Sequence, residues 1–200
     1  MSLGHSMLLE RNQLIYAHVG TLARVADFLI SDESGLGVGS VREEPKPGSG
    51  RVPLPLGRLD IRTRHFVTYD NQQQVVVRVV RLRTLLRARN LIEDASGAKI
   101  ASLRQVHSLR GVRFEVLDPR QTLMGTMNVS DGAEARTYVL RDASSGVVAK
   151  FRLTTSRPAL SWRRPPGYVL DLAESAFLPM RLVALGSVPA IHATFVASRF

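Results

Sequence analysis

The chain has 200 residues and a mass of 22.1 kDa, enough for one domain with a proper core. Its 44% hydrophobic and 22% charged residues, at a mean hydropathy of +0.00, exclude a disordered chain and a polytopic membrane protein. The lack of cysteine excludes disulfide scaffolds, thiol nucleophiles and zinc-thiolate sites, while Lys+Arg 27 against Asp+Glu 17 leaves a net charge of +10.

Twenty-four of the basic residues are Arg. Guanidinium forks pair bidentately with phosphate, so the surplus points to nucleic acid or anionic lipid; a GC-rich genome that writes Arg for Lys would give the same ratio without a partner.

Residues 1–10 read as a flexible N-terminal leader, with neither the basic n-region nor the long apolar run of a secretory signal. Residues 11–200 then read as a single domain. Its main feature is a repeat aligned on aspartates: Asp70, Asp94, Asp118 and Asp142 are 24 residues apart, and Asp32 lies one longer step upstream. Four residues before each stand Phe28, Phe66, Asn90, Phe114 and Tyr138, and two before stand Ile30, Thr68, Ile92, Val116 and Leu140. This period-2 alternation predicts a strand running into each Asp. Beyond the Asp come turn residues, among them Gly35, Gly97 and, one place later, Gly146, and then an apolar run such as Val75-Val76-Val77 or Val147-Val148-Ala149. The Asp oxygen is expected to cap the turn amides and the Gly to take the positive-φ position, giving five hairpins and about ten strands.

Between the first two repeats, residues 44–57 hold four prolines and three glycines and read as a long surface loop. Residues 78–89, RVVRLRTLLRAR, carry the densest positive charge. In extended chain, Val80, Leu82, Leu86 and Ala88 share one parity and Arg81, Arg83, Arg87 and Arg89 the other, which predicts an apolar inner face and an outer arginine stripe. Arg78, Arg104, Arg110 and Arg113 add to this region, and Arg163 and Arg164 join from a turn-rich crossing. From Leu182 to Ser198 no acid or base occurs except His192. Gly186, Ser187, Pro189, His192 and Thr194 argue against a bilayer span, so the reading is a core helix within 171–197, kinked or restarted at Pro189, and no transmembrane span.

A run of Asp-turn hairpins closed by an apolar helix resembles the LURP-one-related and phospholipid-scramblase-like proteins, which share the Tubby C-terminal type of fold. The resemblance covers Gln13 to Phe195 and rests on FLISDESGLGVG (28–39), NLIEDASGAKIA (90–101), FEVLD (114–118), YVLRDASSGVVA (138–149) and the closing segment 170–195. It implies a mainly β fold: a closed antiparallel barrel of about twelve strands wound around a buried C-terminal helix. It also implies peripheral binding of anionic phospholipid headgroups, phosphoinositides among them, on a basic barrel face at the cytoplasmic side of a membrane. The candidate headgroup residues are Arg78, Arg81, Arg83, Arg87, Arg89, Arg104, Arg110, Arg113, Arg163 and Arg164. The acylated cysteines of the eukaryotic scramblases are missing. Where those proteins carry a calcium-binding segment only Asp171 and Glu174 stand, short of the oxygen ligands calcium needs, so no metal site is expected.

Nothing in the chain points to catalysis. The five histidines are scattered without metal-binding spacing, and no nucleophile elbow, P-loop or dinucleotide fingerprint occurs. His192 reads as a hydrogen-bonded core residue. The expectation is a non-enzyme without a cofactor. Two other readings fit the same charge: a soluble barrel that binds an acidic protein partner or a small ligand, and a non-specific binder of duplex DNA. Sequence-specific or single-stranded nucleic acid is disfavoured, because no aromatic residue stands among the basic ones from Arg78 to Arg113.

Overall fold

A computed structural model describes residues 6–19, 27–44, 63–82, 89–108, 111–131, 136–154 and 167–195. The chain forms a single-turn helix α1 (Met7–Glu10), then strands β1 (Gln13–His18), β2 (Phe28–Ser31), β3 (Gly37–Glu44), β4 (Arg64–Asp70), β5 (Val75–Leu82) and β6 (Arg89–Asp94). It continues through β7 (Lys99–Ser108), β8 (Gly111–Leu117), β9 (Leu123–Asp131), β10 (Arg136–Asp142), β11 (Val147–Thr154) and β12 (Gly167–Leu172) into helix α2 (Leu178–Phe195). Each strand pairs antiparallel with the next, and β1 pairs with β12 from Gln13↔Asp171 to Tyr16↔Tyr168, so the sheet closes. The fold is therefore a closed twelve-stranded antiparallel barrel around one helix. Five hairpins supply ten strands, and β1 and β12, which the Asp repeat does not mark, complete the ring. Closure leaves no strand edge exposed.

The five hairpins share one turn. In each, the Asp carboxylate accepts the backbone amide four residues on: Leu36 (3.1 Å), Gln74 (2.8 Å), Ala98 (3.0 Å), Thr122 (2.7 Å) and Gly146 (2.8 Å). The third residue after the Asp has positive φ in all five: Gly35 (84°), Gln73 (60°), Gly97 (86°), Gln121 (68°) and Ser145 (70°). A register shift follows in every pair. This is a type I turn ending in a left-handed residue that makes a G1 bulge. The glycine assignment thus holds at Gly35 and Gly97, but in the last turn Ser145, not Gly146, takes the left-handed place, because that place is fixed by distance from the Asp. A left-handed conformation disfavours a side chain by about 1–2 kcal/mol. Gly97→Ala is accordingly expected to lose about that much stability and Ser145→Gly to gain up to about 1 kcal/mol, both readable as shifts of the denaturant midpoint at constant m-value.

Because strand direction alternates, all five turns lie at one end of the barrel, where α2 enters. The expected flexible leader is corrected here. Residues 6–10 are part of the structure, with the Leu8 side chain fully buried against Gly39, since an apolar side chain is needed to close this end of the core. The Arg181 guanidinium ties the same end together, donating to the carbonyls of Leu9 (2.8 Å), Ala176 (3.0 Å) and Ala173 (3.2 Å) and to Asn12 Oδ1 (3.1 Å).

α2 runs along the lumen, touching β4 to β7, β11 and β12, and its residues 182–194 are all buried. Inward-facing Phe28, Phe66, Phe114, Tyr138, Phe151 and Leu170 pack around it. A Cβ on Gly186 would lie 3.1 Å from Val79 Cγ2 and 3.3 Å from Ile92 Cγ2, so the helix presses closest on β5 and β6. It does not restart at Pro189, which stands inside one continuous helix. His192 is a core histidine as expected, hydrogen-bonded through Nδ1 to the Tyr168 hydroxyl at 3.1 Å. No helix among the described residues is long and apolar enough to cross a membrane. Glu44 ends β3 rather than opening the Pro/Gly loop, and residues 45–57 lie outside the described residues.

Candidate anion-binding surface

Five of the ten candidate arginines are described, and four of these face outward. Arg78 on β5 stands opposite Glu93 on β6. Arg89 on β6 stands between Leu82 and Arg104. Arg104 on β7 is exposed, and its Nε (3.0 Å) and Nη2 (2.6 Å) both grip Glu115 Oε2 on β8. Arg113 on β8 is exposed opposite Val106 and Asn128. Arg83, Arg87, Arg110, Arg163 and Arg164 lie outside the described residues.

Arg81 does not belong to an outer stripe. It shares its parity with the core residues Val77 and Val79, points inward, and donates Nη1 to the Ala193 carbonyl near the C-terminal end of α2. The predicted phase is inverted: Val80 and Leu82 take the outer parity. The bulge after Asp70 inserts Val76 into β5, so Val75-Val76-Val77 shows no alternation from which the phase can be read. A cation at the carbonyl end of a helix is favoured by the macrodipole. Burial first, and then the neighbouring Arg64, holds the Arg81 pKa below its ordinary value, with Glu43 opposing.

Ion pairs tie neighbouring segments of the barrel together. Arg152 is 3.2 Å from Asp171, Arg64 3.6 Å from Glu43, and Arg11 3.4 Å from Asp32. The described residues contain fifteen Lys or Arg and fifteen Asp or Glu. The remaining positions hold twelve basic residues and two acidic ones, which is the whole surplus of +10. All but Arg199 of those twelve belong, by sequence, to the segments that join β1 to β2, β3 to β4, β5 to β6, β7 to β8 and β11 to β12. The strand ends so joined all lie at the end of the barrel opposite the Asp turns. Composition alone gives no sign of this separation, because it depends on strand direction.

The two calcium candidates are otherwise engaged. Asp171 accepts from Gln13 Nε2 at 2.7 Å and pairs with Arg152, and Glu174 accepts from Asn12 Nδ2 at 3.5 Å. Among the described residues no group of three or more His, Asp or Glu is placed to hold a metal ion. The Asp turns are structural. The Ser34 hydroxyl, ahead of the Leu36 and Ser34 amides and Arg11, holds the Asp32 carboxyl below its ordinary range, and Ser96 does the same for Asp94.

Two inward residues at the end away from the turns went unmarked in the sequence reading, Arg64 and Asn90. Asn90 carries a legible signal: it stands where the other repeats have Phe28, Phe66, Phe114 and Tyr138.

The fold defines a helix-filled antiparallel barrel. No family model matches the chain, and no curated protein matches it. A protein of Arabidopsis thaliana known from its X-ray structure is similar in fold, with a TM-score of 0.50 and 12% identity over 91% of this chain and 90% of its own. That likeness supports the barrel architecture.

Proposed function

We propose that this chain is a non-enzymatic, scramblase-like and LURP-one-like barrel that binds anionic phospholipid headgroups as a peripheral protein at the cytoplasmic face of a membrane. The observation that carries this reading is the distribution of charge: the described residues sum to zero, and the surplus of +10 falls on the segments that, by sequence, join strand ends at one end and on the tail. The proposed site is those joining segments together with the outward strand arginines Arg78, Arg89 and Arg113. The lumen is taken up by α2, which leaves the outside and the ends for a partner. Near an anionic surface each basic residue contributes about 1 kcal/mol, so four engaged residues suffice for roughly millimolar binding and more give tighter attachment.

Co-sedimentation with vesicles of phosphatidylglycerol and phosphatidylcholine, against phosphatidylcholine alone, tests the proposal. Pelleting with the anionic vesicles only, weakening as salt rises, is the expected result. Arg163→Glu with Arg164→Glu is expected to weaken it about tenfold or more, and Arg104→Ala on the wall to leave it nearly unchanged. Equal pelleting with both vesicles, or none with either, overturns the reading.

A further inference from the structure

Large apolar side chains open to water occur at both ends of the barrel, in different surroundings. Among the described residues seven are exposed. Leu36, Leu123, Val147, Phe177 and Leu178 lie at the Asp turns or where α2 begins, and the other two, Val19 (55% exposed) and Leu29 (57%), lie at the opposite end, where β1 leaves off and β2 starts.

The pairing register places Val19 and Leu29 in a larger patch. On β1 the core takes Leu14 and Tyr16, so Ile15, Ala17 and then Val19 stand on the outside. Ile15 is the direct partner of Val169 on β12 and of Ser31 on β2, Ala17 is the partner of Leu29, and Leu29 that of Ser40 on β3. The outer surface of β12, β1 and β2 is therefore aliphatic and uncharged at Val169, Ile15, Ala17, Val19 and Leu29. Charges mark its borders. Arg152, opposite Val169, is 3.2 Å from Asp171, Asp27 accepts the Glu43 amide at 2.9 Å, and Arg42 lies over the Tyr69 ring.

Charge decides what such a patch suits. The apolar residues at the turn end stand among the exposed carboxylates Glu10, Glu33 and Glu174, with Arg120 the one exposed cation in the described Asp turns, and an anionic surface is not attracted there. The patch on β1 and β2 lies at the other end, beside the strand ends that the basic segments join. One of those segments follows it directly in sequence and holds Leu22, Arg24 and Val25. A second copy of the chain carries the same surplus of +10 and is repelled, whereas an anionic bilayer attracts the basic segments and offers acyl chains to the aliphatic side chains.

We infer that Ile15, Ala17, Val19 and Leu29 form a membrane-contact patch, which enters the boundary between headgroups and acyl chains of an anionic bilayer while the basic joining segments engage the headgroups. This rests on the proposed affinity for anionic phospholipid and names the surface that supplies its apolar part.

The chain has no cysteine, so Leu29→Cys carries an environment-sensitive nitrobenzoxadiazole label at a single place, and Leu36→Cys, at a residue just as exposed (54%), serves as the control at the turn end. With phosphatidylglycerol and phosphatidylcholine vesicles the label at Leu29 is expected to brighten, shift to the blue and be quenched by lipids spin-labelled on the acyl chain, and the label at Leu36 to stay unchanged. Val19→Ser with Leu29→Ser should weaken wild-type pelleting about tenfold, and the loss should persist in about 0.5 M salt, where charge is screened within a few ångström. Pelleting of the labelled protein with a silent Leu29 label, a response at Leu36 equal to or larger than that at Leu29, or unchanged affinity in the double serine variant overturns the patch and leaves the headgroup reading standing. A Leu29 label already shielded in a dimer before vesicles are added gives the patch to a second copy and overturns it too. No pelleting of wild type with any vesicle overturns both.

Discussion

Arg81→Glu is expected to lower the stability of the barrel by about 3–5 kcal/mol, the range for leaving buried charge uncompensated. The wild-type guanidinium faces the lumen and donates to the Ala193 carbonyl, at the helix end where the peptide dipoles gather negative charge. A glutamate there turns an attraction into a repulsion against both the carbonyl and the nearby Glu43, which the new attraction to Arg64 opposite only partly offsets. Arg81→Met, which keeps the apolar stem and drops the head, should lose less. Arg104→Glu, on the exposed wall, should change stability by no more than about 1 kcal/mol, because surface pairs are worth little in water. Urea midpoints at constant m-value rank the three. A near-neutral Arg81→Glu would mean that the side chain lies outside the barrel after all.

Phe66→Ala is expected to be as damaging, about 3–5 kcal/mol, through the lost burial and the cavity it leaves. Phe66 is 1% exposed, with Val79 opposite on β5 and Glu43 opposite on β3. It belongs to a ring of buried side chains around α2, and Gly186, which faces its neighbour Val79, has no side chain that could swing in. Thermal or urea unfolding measures the loss, and a value below about 1.5 kcal/mol would mean that the barrel can collapse onto its helix.

How far this molecule could be read from its residues depends on how local each feature is. The Asp turns were legible because their chemistry spans five residues: a carboxylate, the amide four residues on and one left-handed position. Even so, Ser145 in the last turn could not be told from Gly146 by composition, since glycine preference is weaker evidence than distance from the Asp. The pairing that closes the ring joins Gln13 to Asp171, far apart in sequence and without a motif, and only the family resemblance suggested it. The phase of β5 was lost at three successive valines, where a bulge shifts the alternation by one residue. The position of the charge was hidden longest: a run such as Arg78 to Arg89 looks like a stripe until the phase of β5 shows that Arg81 turns inward. Asn90, by contrast, was visible as the odd member of an aromatic column, though the register that sets it beside Arg81 was not.

The placement of α2 governs the order in which this protein can form. Every hairpin up to β11 can zip locally from its own Asp turn, but the surface those strands turn inward has its filling in residues 178–195, which follow all of them in the chain. The seam between β1 and β12 likewise waits for Gly167–Leu172. The strands therefore lack the filling of their apolar side until residues 167–195 are present, and the barrel can close only then. Long-range closure of this kind is slow and leaves apolar surface open to aggregation, which makes residues 167–195 the part of the sequence on which successful folding most depends.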